Sequence, residues 1–354
     1  MSPLPSLGPL VSLGRWLGPW ADPAVRPAAH VRDEECGGMQ VRIYRPARGI
    51  RSTFLIAPGL HPACADDPRL DRFCRVLTCA GHQVVVPYIP DFLALVPTER
   101  AKHDFLRAFD ALPRWTGERA AGPRRPIVFS ISFGSLLAFS LAAARPGAIE
   151  RLIVFGGYAD LRETLRFSLT GEVGSGRRAA RDPLNQPVVL MNLLAHLDPP
   201  VGEADAAAVA AAWRRYVERT WGRPELKRDR RFAAVAEELA PAVPAAVREL
   251  FLVGTGALPG APALALAALD RFDARALDPS PYLPRITGPV DLVHGLDDDV
   301  IPFEHAHVLA ARLSNADVRV HVTGTYGHTG ASRPLFASLR EVATLLRVLR
   351  LLAA

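Results

Sequence analysis

Lysine is almost missing from this chain. Of its 42 basic residues only Lys102 and Lys227 are lysines, so the formal net charge of +6 is carried by arginine. The arginines are scattered, and the densest basic stretch, Lys227-Arg228-Asp229-Arg230-Arg231, already contains an acid. A basic balance with no nucleic-acid motif beside it is weak ground for such a partner, and none is expected. Cysteine is scarce too: Cys36, Cys64, Cys74 and Cys79, with no C-x-x-C pair. So few in 354 residues argue against a disulfide framework and fit reduced thiols in a cytoplasm. No run of 18 or more apolar residues occurs, so no membrane span is expected. The first twenty residues hold one base, Arg15, and Pro3, Pro5, Pro9, Gly8, Gly14 and Gly18 break them up. A signal peptide needs a basic start and an unbroken apolar stretch, so this is a poor one. Neither a metal-ligand cluster nor a dinucleotide-binding glycine motif is present, and no metal or cofactor is expected.

What the chain does have is apolar sequence. Hydrophobic residues make up 49% and charged residues 22%, enough for a large core and far from a disordered composition. Short aliphatic runs alternate with helical spacing. Residues 39–44 (MQVRIY) alternate like a half-exposed strand, suited to an antiparallel edge. Residues 52–57, 82–88, 126–129 and 152–155 read as strands, and 70–79, 98–112 and 135–144 as helices. Apolar strands separated by helices imply a parallel sheet covered on both faces. From about Tyr158 the texture changes: for some 125 residues it is helical and rich in Ala, Arg and Leu, with 171–181 reading as loop. The α/β pattern then returns, with strands at 290–293 and 317–322 and helices at 304–313 and 338–352. One α/β domain interrupted by a helical insertion accounts for this order.

Four turns follow strands of the interrupted sheet, and in an open parallel sheet such turns gather at one crevice. The first holds Ser132, in FSISFGSLLAFSLAA (129–143), between a strand and a helix. A nucleophilic serine on such a turn needs small neighbours two residues either side, and Gly134 and Ser130 are small. The competing reading is a small residue in a structural turn. The second holds Asp298, in HGLDDDVIP (294–302), with Asp297 and Asp299 as competitors for the role of an acid that orients a histidine. Asp160, after the strand at 152–155, is a further competitor. Three adjacent acids could also simply solvate a loop. The third holds His328, in GTYGHTG (324–330), a polar glycine-flanked loop with no apolar face to pack on. The fourth is Pro58-Gly59-Leu60-His61. Its Leu60 N–H and the Phe133 N–H are the candidates for holding an oxyanion. His61 and His294 read as loop and strand residues rather than ligands.

The order Ser132, Asp298, His328 is that expected of the α/β-hydrolase architecture. The chain resembles the α/β-hydrolases of the bacterial esterase and lipase type in APGL (57–60), SISFG (130–134), HGLDDDVIP (294–302) and YGHTG (326–330). AGHQVVVP (80–87) and PYLPRITGPVDLVHG (281–295) fit as well, and the resemblance runs from about Gln40 to Leu351. It departs from the family pattern at Ser130, where the elbow has glycine, and at Pro58, where the oxyanion loop usually has histidine. The resemblance implies a mostly parallel α/β-hydrolase sheet flanked by helices, with an inserted helical cap. Residues 1–37 would be an N-terminal extension, 38–157 and 285–354 the core, and 158–284 the cap. It also implies a serine hydrolase acting on a small-molecule ester or related acyl substrate, with Ser132 as nucleophile, His328 as base, Asp298 as its orienting acid, and Leu60 and Phe133 N–H groups at the oxyanion. An acyltransferase, a thioesterase or a non-catalytic ligand-binding protein could use the same scaffold. Met191, Leu193, Leu194, Trp213 and Trp221 could line an acyl pocket, but any one of them more simply packs the cap.

Overall fold

The computed structural model describes residues 7–18, 21–36, 38–116, 125–174, 176–324, 326–327, 330–331 and 339–353. Two compact units emerge, one comprising Met1–Ala159, Pro279–Leu296 and Phe303–Ala354, the other Asp160–Asp278 with Asp297–Pro302.

The first unit is built on eight strands: β1 His30–Cys36, β2 Met39–Arg45, β3 Thr53–Ala57, β4 Gln83–Pro87, β5 Ile127–Ile131, β6 Arg151–Phe155, β7 Gly288–Gly295 and β8 Ala316–Thr323. They hydrogen-bond in the order β1-β2-β4-β3-β5-β6-β7-β8. β2 is antiparallel to both its neighbours, and every pair from β4 to β8 is parallel. The central strands are continuous apolar runs because both faces of the sheet are covered. On β3, Leu55 and Ala57 enter one core with Val85, Val128 and Val154, while Phe54 and Ile56 enter the other with Val84, Val86 and Phe129.

The first core is closed by helices α3 (Arg100–Thr116) and α4 (Gly134–Ala144), through Phe105, Leu112, Trp115, Leu137 and Phe139. The second is closed by α1 (Leu7–Leu17), α2 (Pro68–Cys79) and the C-terminal helix Leu339–Ala353, through Leu13, Cys74, Leu77 and Leu349. Cys64 and Cys74 are buried packing residues, and burial pushes the Cys64 thiol up to about 12. Trp16 packs partly buried against this same core.

Two elements lie outside the sequence-based expectations. Residues 39–44 were expected as an edge strand; β2 is antiparallel as expected, but it is second in, and the edge is β1. β1 reads HVRDEEC and shows no apolar face of its own. Besides its ladder with β2 and the partly buried Val31, it is tied by charge: Arg42 donates to both carboxylate oxygens of Asp33 at 2.7 and 2.8 Å, and to Asp66 at 2.7 Å. Helix α1 forms despite Gly8, Pro9 and Gly14, because Leu13 is buried against the second core.

The second unit is helical: α5 Leu161–Thr170, α6 Gln186–Leu193, α7 Glu203–Thr220, α8 Phe232–Leu239, α9 Ala245–Gly254 and α10 Ala261–Arg271. Trp213 is fully buried at its centre and donates its indole N–H to Phe251 C=O at 3.2 Å. A Cβ on Gly254 would stand 2.4 Å from that indole, so the glycine lets α9 lie against the ring. Trp221 donates to Leu184 C=O at 2.9 Å. Both tryptophans therefore pack the helical unit itself. Within 171–181, expected as loop, Glu172–Val173 and Arg177–Arg178 pair as a two-residue ladder. Among the described residues, no helix is long and apolar enough to cross a membrane.

Candidate active site

The chain reverses direction across the sheet at β3: β4 pairs on one side of it and β5 on the other. Such a switch point leaves a crevice at the carboxyl ends of the two diverging strands. The residues at those ends are Ala57-Pro58-Gly59 and Ile131-Ser132.

The carboxyl ends are tied in a row by main-chain bonds. Ser132 N–H donates to Phe155 C=O at 2.8 Å, Gly156 N–H to Val293 C=O at 2.9 Å, and Leu296 N–H to Thr323 C=O at 2.8 Å. Each strand therefore hands its following loop to the same edge of the sheet.

Ser132 occupies the exit after β5. Its φ is +52°, a left-handed conformation that costs a residue with a Cβ about 1–2 kcal/mol. Ser135 N–H donates to its carbonyl at 3.0 Å and begins α4. The serine is 7% exposed. Gly134 is required by contact: a Cβ there would stand 2.2 Å from Ala57 C=O and 2.5 Å from Pro58 C=O. Ser130, two residues before, pairs with Ala57 on β3 and Val154 on β6 and is fully buried. Its Oγ has no hydrogen-bond partner among the described residues. Neither register partner, Ala57 or Val154, has a polar side chain to meet it.

The turn after β3 lies against the elbow, since a Cβ on Gly59 would be 3.4 Å from Ile131 C=O and 3.7 Å from Ser132 Cβ. The structure thus brings together Ser132, Phe133 and the turn carrying Leu60. Leu60 and Phe133 are partly buried against the first core, and the Phe133 ring packs on Tyr158 at 5.1 Å between centroids. Among the described residues, neither the Leu60 nor the Phe133 N–H donates to an acceptor of the chain. Sequence reasoning treated His61 only as a loop residue, but it anchors this turn. Its Nδ1 accepts from Ala63 N–H at 3.1 Å, and its Nε2 faces Asp67 Oδ2 at 3.2 Å. Asp67 in turn caps α2 through Arg69 and Leu70 N–H. Burial pulls the His61 pKa below its ordinary value, against the pull of Asp67.

Asp298 belongs to the second unit and is held there by local bonds. Its Oδ1 accepts from Val300 N–H at 2.9 Å and Ile301 N–H at 2.8 Å, an Asx turn that fixes the carboxylate. It is 6% exposed, whereas Asp297 is exposed and Asp299 half-buried. The Asp299 carboxylate is engaged by Lys227 Nζ at 2.7 Å. Asp160 caps α5, accepting from Glu163 N–H at 2.9 Å. Of the acids considered, Asp298 alone is both buried and fixed by main-chain donors in a loop after β7. His328, expected after β8, lies outside the described residues, so its meeting with Ser132 and Asp298 is not part of this geometry.

A sheet with one antiparallel pair of strands at the start, six parallel strands crossing as 4-3-5-6-7-8, and a serine on the strand-to-helix turn after β5 defines the α/β-hydrolase fold. Several solved structures are similar to this chain. The acylaminoacyl peptidase of Pyrococcus horikoshii is 12% identical over 92% of this chain and 40% of that one, with a TM-score of 0.47. A serine hydrolase of the polyaromatic hydrocarbon-degrading bacterium Cycloclasticus zankles is 13% identical over 92% and 97% of the two chains, with a TM-score of 0.47. A 2,6-dihydroxy-pseudo-oxynicotine hydrolase is 13% identical over 92% and 68%, with a TM-score of 0.43. The chain spans only about two fifths of the acylaminoacyl peptidase that it matches. No family model matches the sequence, and no curated protein matches it significantly. At these identities and scores the likeness assigns no activity, and the fold assignment rests on the strand order.

Proposed function

We propose that the protein is a serine hydrolase that cleaves a carboxylic ester or related acyl bond of a small molecule. Ser132 Oγ attacks the carbonyl carbon while His328 takes its proton. The tetrahedral intermediate collapses, and His328 returns that proton to the departing alcohol. Water, deprotonated by the same imidazole, then attacks the acyl-serine and releases the acid and free Ser132. Asp298 orients His328 and stabilises its charged form. The Leu60 and Phe133 N–H groups meet the oxyanion, each worth roughly 3 kcal/mol of barrier.

The observation that carries this reading is the left-handed Ser132, seated on an elbow that Gly134 closes against the Ala57 and Pro58 carbonyls. A strained non-glycine residue persists only where its surroundings over-determine it, and such residues gather at active sites. The paired, unspent N–H groups beside it supply the second part of the same chemistry.

The experiment is labelling with a fluorophosphonate probe, followed by a screen of p-nitrophenyl esters from acetate to palmitate. Wild type is expected to label and Ser132→Ala not to. A folded wild-type protein that fails to label is not a serine hydrolase, and the reading as a non-catalytic ligand-binding protein replaces it.

A further inference from the structure

The acid loop Asp297–Pro302 groups with the helical unit rather than with the strand that precedes it. A lysine and a main-chain bond join this loop to Asp182 of the helical unit. Lys227 Nζ stands 2.7 Å from Asp182 Oδ2 and 2.7 Å from Asp299 Oδ2. Asp182 N–H also donates to Asp299 C=O at 2.7 Å, so the two acids are brought face to face by their backbones. Asp182 is nearly buried and is further fixed by capping, its Oδ1 accepting from Leu184 N–H at 2.9 Å. Burial alone would lower the Lys227 pKa, but the two carboxylates outweigh it and hold it above the ordinary lysine value.

We propose that Lys227 is a positioning residue for Asp298, acting through Asp299. This rests on the reading of Asp298 as the orienting acid. Asp299 is covalently next to Asp298, and Val300 and Ile301 N–H groups complete the hold on its carboxylate. Without the ammonium, Asp182 and Asp299 face each other as like charges in a half-buried site, and above the pH at which one of them takes up a proton the repulsion is relieved by movement of the loop. That movement carries Asp298 with it. A lysine suits the role because its compact charge can be shared between two carboxylates that lie 117 residues apart in sequence.

The test compares Lys227→Met, Asp299→Asn and Asp298→Asn in purified full-length protein, with p-nitrophenyl ester kinetics across pH and a thermal melt of each. Lys227→Met is expected to lower kcat on the order of tenfold to a hundredfold with KM little changed, as misplaced catalytic groups do. The acid limb of its kcat/KM profile is expected to move down by about one pH unit, because a displaced carboxylate supports the imidazolium less. Asp299→Asn, which leaves Lys227 bound to Asp182, is expected to move both readouts in the same direction, and it decides the matter if Lys227→Met does not fold. If both variants keep the wild-type rate and profile while Asp298→Asn is inactive, the inference is overturned and the triad reading stands. A rise in KM alone would equally overturn it, placing Lys227 against substrate. If Asp298→Asn keeps wild-type turnover, the acid assignment falls and the inference with it.

Discussion

Gly134 and Ala57 stand so close that a Cβ on the glycine would lie 2.2 Å from the alanine's carbonyl oxygen. The contact is with main chain, so no side-chain rotation can relieve it. Gly134→Ala is expected to destabilise the protein by about 1–3 kcal/mol or more, the usual cost of overpacking. Fluorophosphonate labelling should fall by more than the melting temperature explains, because the shift is taken up at the elbow itself. A melt and a labelling time course on one preparation check this.

Ser130 carries the opposite expectation. Its fully buried hydroxyl has no partner among the described residues. Ser130→Ala removes an unpaired polar group and should stabilise by about 1 kcal/mol. Ser130→Gly should keep the site working but gain less, since glycine in a strand interior costs about as much as the hydroxyl does. Urea denaturation measures both. Lost labelling in a stable Ser130→Ala protein would give Ser130 a role in the chemistry.

Asp298 and Asp297 are neighbours in sequence, one buried and fixed and the other exposed. Asp298→Asn is expected to reduce kcat on the order of 10³–10⁴-fold with the fold intact, the scale seen when an orienting acid loses its charge. Asp297→Asn should leave kcat unchanged. Steady-state turnover of a p-nitrophenyl ester separates the two, and the reverse pattern would move the acid to Asp297.

His82 sets an acid limit on stability. Burial, with Arg51 nearby, lowers its pKa from 6.5 to about 4. Its ring meets Phe54 edge-on at 4.9 Å. The unfolded chain takes up the proton first, so this contribution is full above about pH 6.5 and is lost as pH falls towards 4. The loss amounts to about 3 kcal/mol. Burial lowers His61 as well, which adds a smaller slope of the same sign. His82→Phe should flatten most of the stability change between pH 6.5 and 4 in urea titrations. An unchanged slope would place the acid sensitivity elsewhere.

The sheet was legible because its strands are apolar on both faces and its turns hold glycine and proline. The elbow was legible because contact dictates Gly134, and such a glycine leaves a trace at a fixed spacing from its serine. β1 left little trace: Val31 alone packs against the second core, and besides its ladder with β2 the strand is held by Arg42, nine residues from Asp33 and on another strand. Helix α1 contradicted its own local sequence, and burial of Leu13, with Leu10, Trp16 and Leu17 packed beside it, decides it. Lys227 was legible as a rarity but not as a clamp, since its partners lie 45 and 72 residues away. Long-range ion pairs carry no periodicity, so no local pattern announces them.

The bonds that tie Ser132 to Phe155, Gly156 to Val293 and Leu296 to Thr323 use peptide atoms alone. They are therefore indifferent to which side chains the loops bring. The scaffold works as a fixed row of sockets, and each loop can be rewritten without moving its neighbours. That separation is consistent with a chain that has Ser130 where the elbow usually has glycine, and Pro58 in the turn after β3, yet still presents Ser132 at the carboxyl end of β5. It also tells an engineer where to cut: a loop exchanged between one socket and the next residue of regular structure changes specificity, while a change to the row itself changes the protein.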